Sequence, residues 1–208
     1  MANDIVILGN GGHAKSVADS IIRARKYRIA GYTDLVERDS QIRYLGTDDR
    51  LKDLYDQGVR FACIGIGYLG ESFIRDKIIY RALEIGFQFP AIIDPTSIVI
   101  SDTKIGMGTY IGKNVIVNSG SVIGSYCILN TGVIVEHENI VGEFSHIAVG
   151  SVLCGRVEVG HHSLVGAGST VIQGISIGNE CIVGVGSVVV SDIPDKSKAY
   201  GNPCRVVG

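Results

Sequence analysis

From Ile105 onward, one position in six is aliphatic. The series runs Ile105, Ile111, Val117, Ile123, Leu129, Val135, Val141, Ile147, Leu153, Val159, Val165, Val171, Ile177, Val183 and Val189, without a slip. The next residue is often glycine, as at Gly106, Gly112, Gly124, Gly142, Gly160, Gly166, Gly178 and Gly184. Four places after the aliphatic stands a compact residue such as Thr109, Ser121, Cys127, Ser145, Ser163 or Cys181. A helix cannot produce a period of six, because six is not a multiple of 3.6. Simple strand alternation would not single out one position in six. The pattern predicts a triangular coil with three hexads per turn, each aliphatic pointing inward. Successive coils then stack about 4.8 Å apart through parallel β hydrogen bonds. At eighteen residues per turn, the stretch holds about five turns.

The first 92 residues have a different rhythm. Ile5–Leu8 is an apolar run that stops at Gly9 and reads as a buried parallel strand. Val17, Ala18, Ile21 and Ile22 fall at helical spacing between His13 and Lys26. Ile29–Tyr32 is a second strand, and Thr47 is placed to cap a helix reaching Tyr55. Phe61–Ile66 is a third strand, Glu71–Ile85 a helix stopped by Gly86, and Phe87–Ile92 a closing strand. The alternation implies a small parallel sheet covered by helices, a Rossmann-like α/β domain over residues 1–92. Residues 93–208 form the β-helix and its tail.

Composition narrows the function classes. Hydrophobic residues make up 46% of the 208-residue chain and charged residues 19%, enough for a well-buried core. A net charge of -2 argues against a nucleic-acid partner. No apolar run is long enough to span a membrane, and Met1–Ile5 lacks a basic signal-type start, so a cytoplasmic protein is expected. The five cysteines form no CxxC pair, which points away from a disulfide framework or a zinc site. Cys127 and Cys181 lie 54 residues apart, three full turns, and read as core packing.

Residues that a repeat does not require carry the chemistry. His137 follows the inward Val135 by two places and should lie outside, with Glu138 beside it to bond one ring nitrogen. Such a pair suits a general base, and it equally suits a solvated surface patch. His146 is nine residues on, half a turn, so the two histidines belong to different faces. They would line one site only across a subunit interface. His161 and His162, as neighbours on a strand, would point to opposite sides and hold a metal poorly. In the first domain, Gly9-Asn10-Gly11-Gly12-His13 joins a strand to a helix, where backbone N–H groups favour a phosphate. Asp34 ends the second strand, in reach of a ribose or base, and Gly65 ends the third on the same rim.

The hexads, with Asn130, His137 and Glu138, resemble the hexapeptide-repeat acyltransferases. Within them the chain is similar to the sugar acetyltransferases that include bacillosamine and perosamine N-acetyltransferases and sialic acid O-acetyltransferases. That resemblance covers nearly the whole chain. It implies a left-handed coil, a homotrimer with active sites between subunits, and direct transfer from acetyl-CoA to a nucleotide-linked amino sugar, with no metal. It makes His137 the base, Glu138 its helper and Asn130 a neighbour of the acceptor. His146, Ala167 and Val185 match positions that contact acetyl-CoA. Gly155 belongs to the smooth strip along which its pantetheine arm would lie. Gly11, Gly12 and His13 would hold the nucleotide, with Asp34, Leu35 and Gly65 around base and ribose. The family often carries a second acidic residue where Leu35 stands. O-acetylation of sialic acid is the alternative within the class. A noncatalytic or metal-binding repeat protein is the alternative outside it.

Overall fold

A computed structural model describes residues 3–70 and 73–207. The chain divides into two compact units. One holds the chain up to Gly67 and the segment ending at Pro95; the other holds everything from Thr96 on, together with residues 68–70.

The first unit is a three-stranded parallel sheet, β1 (Asn3–Leu8), β2 (Tyr27–Thr33) and β3 (Phe61–Ile64), in the order β2-β1-β3. Ile5, Val6, Ile7 and Leu8 are fully buried, as a central strand covered on both faces requires. Helix α1 (Gly12–Ala24) buries Ala14, Val17, Ala18 and Ile21. Ile22, expected on the same face, is 61% exposed, because it stands one residue past the buried stripe. A single 3-10 turn, Asp48–Arg50, leads into α2 (Leu51–Asp56), and Thr47 precedes it without a side-chain capping bond. Helix α3 (Phe73–Ile85) ends at Gly86, whose φ of 111° is open to glycine and whose N–H bonds the carbonyls of Ala82 and Leu83. The expected start of this helix at Glu71 lies outside the described residues. The closing strand over Phe87–Ile92 does not form. Gln88 alone bridges Phe61, while Phe87 and Phe89 are buried, and a two-residue strand β4 (Ile92–Ile93) follows.

The second unit is a parallel β-solenoid of about six turns. It exceeds the expected five because coils begin at Ile98–Val99, before the aliphatic series, and continue to Lys198–Gly201 beyond it. Two-residue strands recur every six residues and pair with the strand eighteen residues on, as Ile134–Val135 does with Val152–Leu153. Every aliphatic of the series from Ile111 to Val189 is at most 2% exposed; Ile105, on the first coil, is half-buried.

Two further positions of the hexad now have physical roles. The glycine after the aliphatic marks coil-to-coil contact: a Cβ on Gly142 would sit 2.5 Å from the His161 backbone N. The turn itself is made two residues later, where the backbone is left-handed. That position holds Gly150 and Gly168, and also Asn114, Tyr126, Glu138, Phe144, Arg156, His162 and Glu180 at φ between 52° and 61°. The compact residue forms an internal ladder. Ser163 Oγ donates to Gly178 O at 2.7 Å and accepts from Cys181 N–H at 2.9 Å, one turn on. Cys127 and Cys181 occupy the same column and donate their thiols to Gly142 O and Pro194 O.

Candidate functional site

In the first unit, Leu8 hands the chain to Gly9, whose φ of 84° starts the turn into α1. Gly65 is forced by close approach, since a Cβ there would meet Gly9 O at 2.1 Å. Gly11 stands at the N-cap of α1 with no side-chain cap, and the first turn has no acidic residue, so the helix opens with N–H groups that lack an intrahelical partner. These strand ends enclose a cleft of about 290 Å³. Gly11, Gly12, His13, Asp34, Leu35 and Gly65, the six residues singled out in the sequence, all line it. Arg38 and Asp48 line it too, and the sequence reading missed both.

Asp34 is placed differently from a free rim carboxylate. Its Oδ2 accepts from Asn10 N–H at 3.0 Å and Arg38 Nε at 2.6 Å. Its Oδ1 accepts from Leu35 N–H at 2.7 Å and Arg38 Nη2 at 3.4 Å. Burial pushes this carboxyl up, but the Arg38 hydrogen bond and the two backbone N–H groups outweigh it and hold it below the usual range. Burial raises Asp48 instead.

In the solenoid, His137 sits at a corner with its side chain 47% exposed. Its Nδ1 lies 3.1 Å from Glu138 Oε2, and Arg156 Nε donates to the same oxygen at 3.0 Å. With the Nδ1 proton directed at the carboxylate, Nε2 keeps its lone pair. The Arg156 and His137 hydrogen bonds hold the Glu138 carboxyl below its ordinary range. Gly155 lies one turn along the same column. A Cβ there would sit 2.4 Å from His137 Nε2, so the glycine makes room for the imidazole rather than extending the strip through Ala167. Asn139, fully buried, pins the segment from within by donating to Glu136 O at 2.6 Å and accepting from Val157 N–H at 3.0 Å.

His146 belongs to a second cluster. It is 7% exposed, and its Nδ1 lies 2.7 Å from Tyr68 O. A carbonyl only accepts, so Nδ1 carries the proton and Nε2 is the acceptor. Asn130 Nδ2 faces that Nε2 at 3.4 Å, and Asn130 Oδ1 takes the Thr131 N–H at 2.8 Å, which fixes the amide's orientation. Tyr68 is held by its hydroxyl, which donates to His162 O at 2.5 Å. No signal in the sequence points to Tyr68, because it acts through a backbone carbonyl. Asn130 and His146 therefore meet within one chain, while the hydrogen bonds of His137 form a separate group.

Val149, Ala167 and Val185 follow one another at single-turn intervals on another corner, the outer two 48% and 79% exposed. Gly150, Gly168 and Gly186 beside them border open space, so this column is smooth and apolar. His161 and His162 lie in a turn, not on a strand, and His162 stacks on Phe144 at 4.8 Å. Among the described residues, no group of three or more His, Cys, Asp or Glu side chains is arranged to hold a metal ion. No helix among them is long and apolar enough to cross a membrane.

The family model of the PglD N-terminal domain matches residues 4–82, and that of the hexapeptide repeat of succinyl-transferase matches 102–137 and 156–191. No curated protein sequence matches the chain. Among solved structures, PerB from Caulobacter crescentus, in complex with CoA and GDP-perosamine, is 35% identical over 100% of this chain and 99% of its own, with a TM-score of 0.93. The acetyltransferase domain of PglB from Neisseria gonorrhoeae, in complex with acetyl coenzyme A, is 29% identical over 100% of both chains, with a TM-score of 0.92. WeeI from Acinetobacter baumannii, at 20% identity over 99% of this chain and 100% of its own, shares the fold with a TM-score of 0.87. The glycine-turn module, the hexads and a 35% identical relative spanning the whole chain agree: this chain belongs to the PglD-like hexapeptide-repeat acetyltransferases.

Proposed function

We propose that the protein transfers the acetyl group of acetyl-CoA to the amino group of a nucleotide-linked amino sugar. The observation that carries this reading is His137, whose Nδ1 faces Glu138 and whose Nε2 is left as a base over Gly155. The acceptor nitrogen attacks the thioester carbonyl, and the C–S bond breaks as the tetrahedral intermediate collapses. His137 Nε2 takes the proton from the nitrogen, and Glu138, steadied by Arg156, balances the imidazolium. The proton then passes to the CoA thiolate, which leaves as the thiol. No enzyme nucleophile is needed, since the thioester is already activated.

In this reading residues 1–92 hold the nucleotide, with Gly11, Gly12, His13, Leu35 and Gly65 around it, and residues 93–208 carry out transfer. The pantetheine arm lies along Val149, Ala167 and Val185, the acetyl group nears His146, and Asn130 neighbours the acceptor. The active unit is a homotrimer with sites between subunits, working in the cytoplasm, where acetyl-CoA and sugar nucleotides are made. GDP-perosamine, the ligand of the 35% identical relative, is the first acceptor to test.

The test is thiol release from acetyl-CoA with GDP-, UDP- and dTDP-linked 4-amino sugars and free sialic acid, using wild type and His137→Ala. We expect turnover on a nucleotide amino sugar and a fall of about 100-fold or more in the variant. Turnover on sialic acid alone would replace this reading with O-acetylation, and an undiminished variant would remove His137 as the base. Sedimentation equilibrium checks the assembly: a fully active monomer would overturn the intersubunit site.

A further inference from the structure

A carboxylate at the end of the second strand of such a sheet is expected to bond a ribose. Asp34 is unsuited to that task. A carboxylate has about four acceptor positions, and Asp34 accepts from Asn10 N–H, Leu35 N–H, Arg38 Nε and Arg38 Nη2. Its side chain is only 10% exposed.

Arg38, by contrast, is 48% exposed and lines the cleft. Its backbone is fixed as firmly as its side chain. Tyr32, fully buried, accepts the Arg38 N–H at 2.8 Å and donates to the Arg38 carbonyl at 3.1 Å through one hydroxyl. Tyr44 donates to Asp34 O at 3.1 Å and ties down the start of the same loop. A guanidinium has five N–H donors, and the two bonds to Asp34 leave others for a ligand. The loop therefore holds a half-exposed cation in place beforehand, so that little side-chain freedom is lost on binding. Asp48 also lines the cleft, and burial raises its carboxyl above the usual range. The opening N–H groups of α1 lie on the same lining.

We infer that Arg38, and not Asp34, is the nucleotide ligand at this end of the cleft, that it bonds a phosphate of the nucleoside diphosphate, and that Asp34 is a positioning residue acting through Arg38. The inference rests on the nucleotide-binding reading of this cleft proposed above. It assigns donors to the anionic part of the ligand and leaves the base to other groups.

The experiment is calorimetric titration of the full-length protein with GDP and UDP. The corresponding nucleosides are followed by ligand-observed NMR, and CoA serves as a competitor. Wild type, Arg38→Ala, Arg38→Lys and Asp34→Asn are compared. Arg38→Ala should lose about 10-fold or more in affinity for the diphosphate that wild type binds, with nucleoside binding unchanged. Arg38→Lys should recover part of the loss, since it keeps the charge but not the fork. Asp34→Asn should also weaken diphosphate binding, although removing a negative charge from an anion site would by Coulomb attraction alone strengthen it. CoA should not displace the diphosphate; displacement would mean that the phosphates read here are those of the acyl donor and would overturn the inference. Equal loss of nucleoside and diphosphate in Asp34→Asn would make Asp34 the direct ligand and overturn it as well. So would full diphosphate affinity in Arg38→Ala, with the nucleotide reading of the cleft left standing. If wild type binds neither nucleotide, that underlying reading itself fails.

Discussion

The two units of this chain place chemical groups by opposite means. In the solenoid, the environment of each residue is set by the residues eighteen before and eighteen after it. His137 has Gly155 beside it for that reason, and Ser163 finds Ser145 and Cys181. In the first unit, positions come from loops joined by long-range bonds of no fixed period, as when Asn10 N–H reaches Asp34 and Tyr32 holds Arg38. A repeat supplies a wall on which only the exceptions carry chemistry. A strand-end cleft supplies a cage in which nearly every group is an exception. Substitutions in the wall should therefore act on stability according to hexad position, and substitutions near the exceptions should act on function with little change in stability.

The largest effect should come from Gly142→Val. Its new Cβ would meet the His161 backbone N at 2.5 Å, and the next coil cannot retreat without breaking its ladder. We expect a loss of about 3 kcal/mol or more in urea unfolding, or failure to accumulate as folded protein. The neighbouring type of glycine, Gly150, borders open space at φ 67°, so Gly150→Ala should cost only about 1 kcal/mol. Equal costs at the two positions would break the distinction between coil-contact and turn glycines.

Next in size is Gly155→Ala, which puts a methyl group where the half-exposed His137 ring lies. The ring has solvent to move into, so stability should hold within about 0.5 kcal/mol. If His137 is the base, acetyl transfer should fall by about 10- to 100-fold as its ring is displaced. Unchanged kcat would separate Gly155 from the catalytic geometry.

The smallest effect concerns acid. The Asp34 carboxyl is held below its usual range, so its ion pair contributes stability above the ordinary carboxylate range, and that contribution is lost as pH falls through the lowered value. Wild type should lose urea resistance between neutral pH and about pH 3, and Asp34→Asn should lose less over the same interval. Parallel curves for the two proteins would leave the pair without a role in stability.

How much of this was readable in the sequence depended on whether a feature had a period. The inward aliphatics have one, and every member from Ile111 on is buried as expected. The turn position has the same period yet stayed hidden, because Tyr126, Glu138, Phe144 and His162 occupy a left-handed backbone where glycine would have announced it. Placing His161 and His162 on a strand followed from that omission. Phe87 and Phe89 are buried, but burial is not strand pairing, and only Gln88 bridges the small sheet, through Phe61. Gly11, Gly12, Asp34 and Gly65 were legible from strand ends and glycines, whereas His13 and Leu35 came only with the family resemblance. That Asp34 is saturated was not legible, since its partners are two backbone N–H groups and an arginine that sequence spacing alone does not single out. Tyr68 escaped for a related reason: any residue type offers the carbonyl that orients His146.

The eighteen-residue coil also behaves as a ruler. Each turn advances the wall by about 4.8 Å, so separations along the solenoid axis come in whole steps of that size. Adding or removing one complete turn would lengthen or shorten the apolar column through Val149, Ala167 and Val185 by one step and leave every lateral contact in register. Losing seventeen residues would rotate each later column off its face. A scaffold of this kind can change the reach of its apolar column only in increments, and between increments the spacing from that column to His137 is fixed.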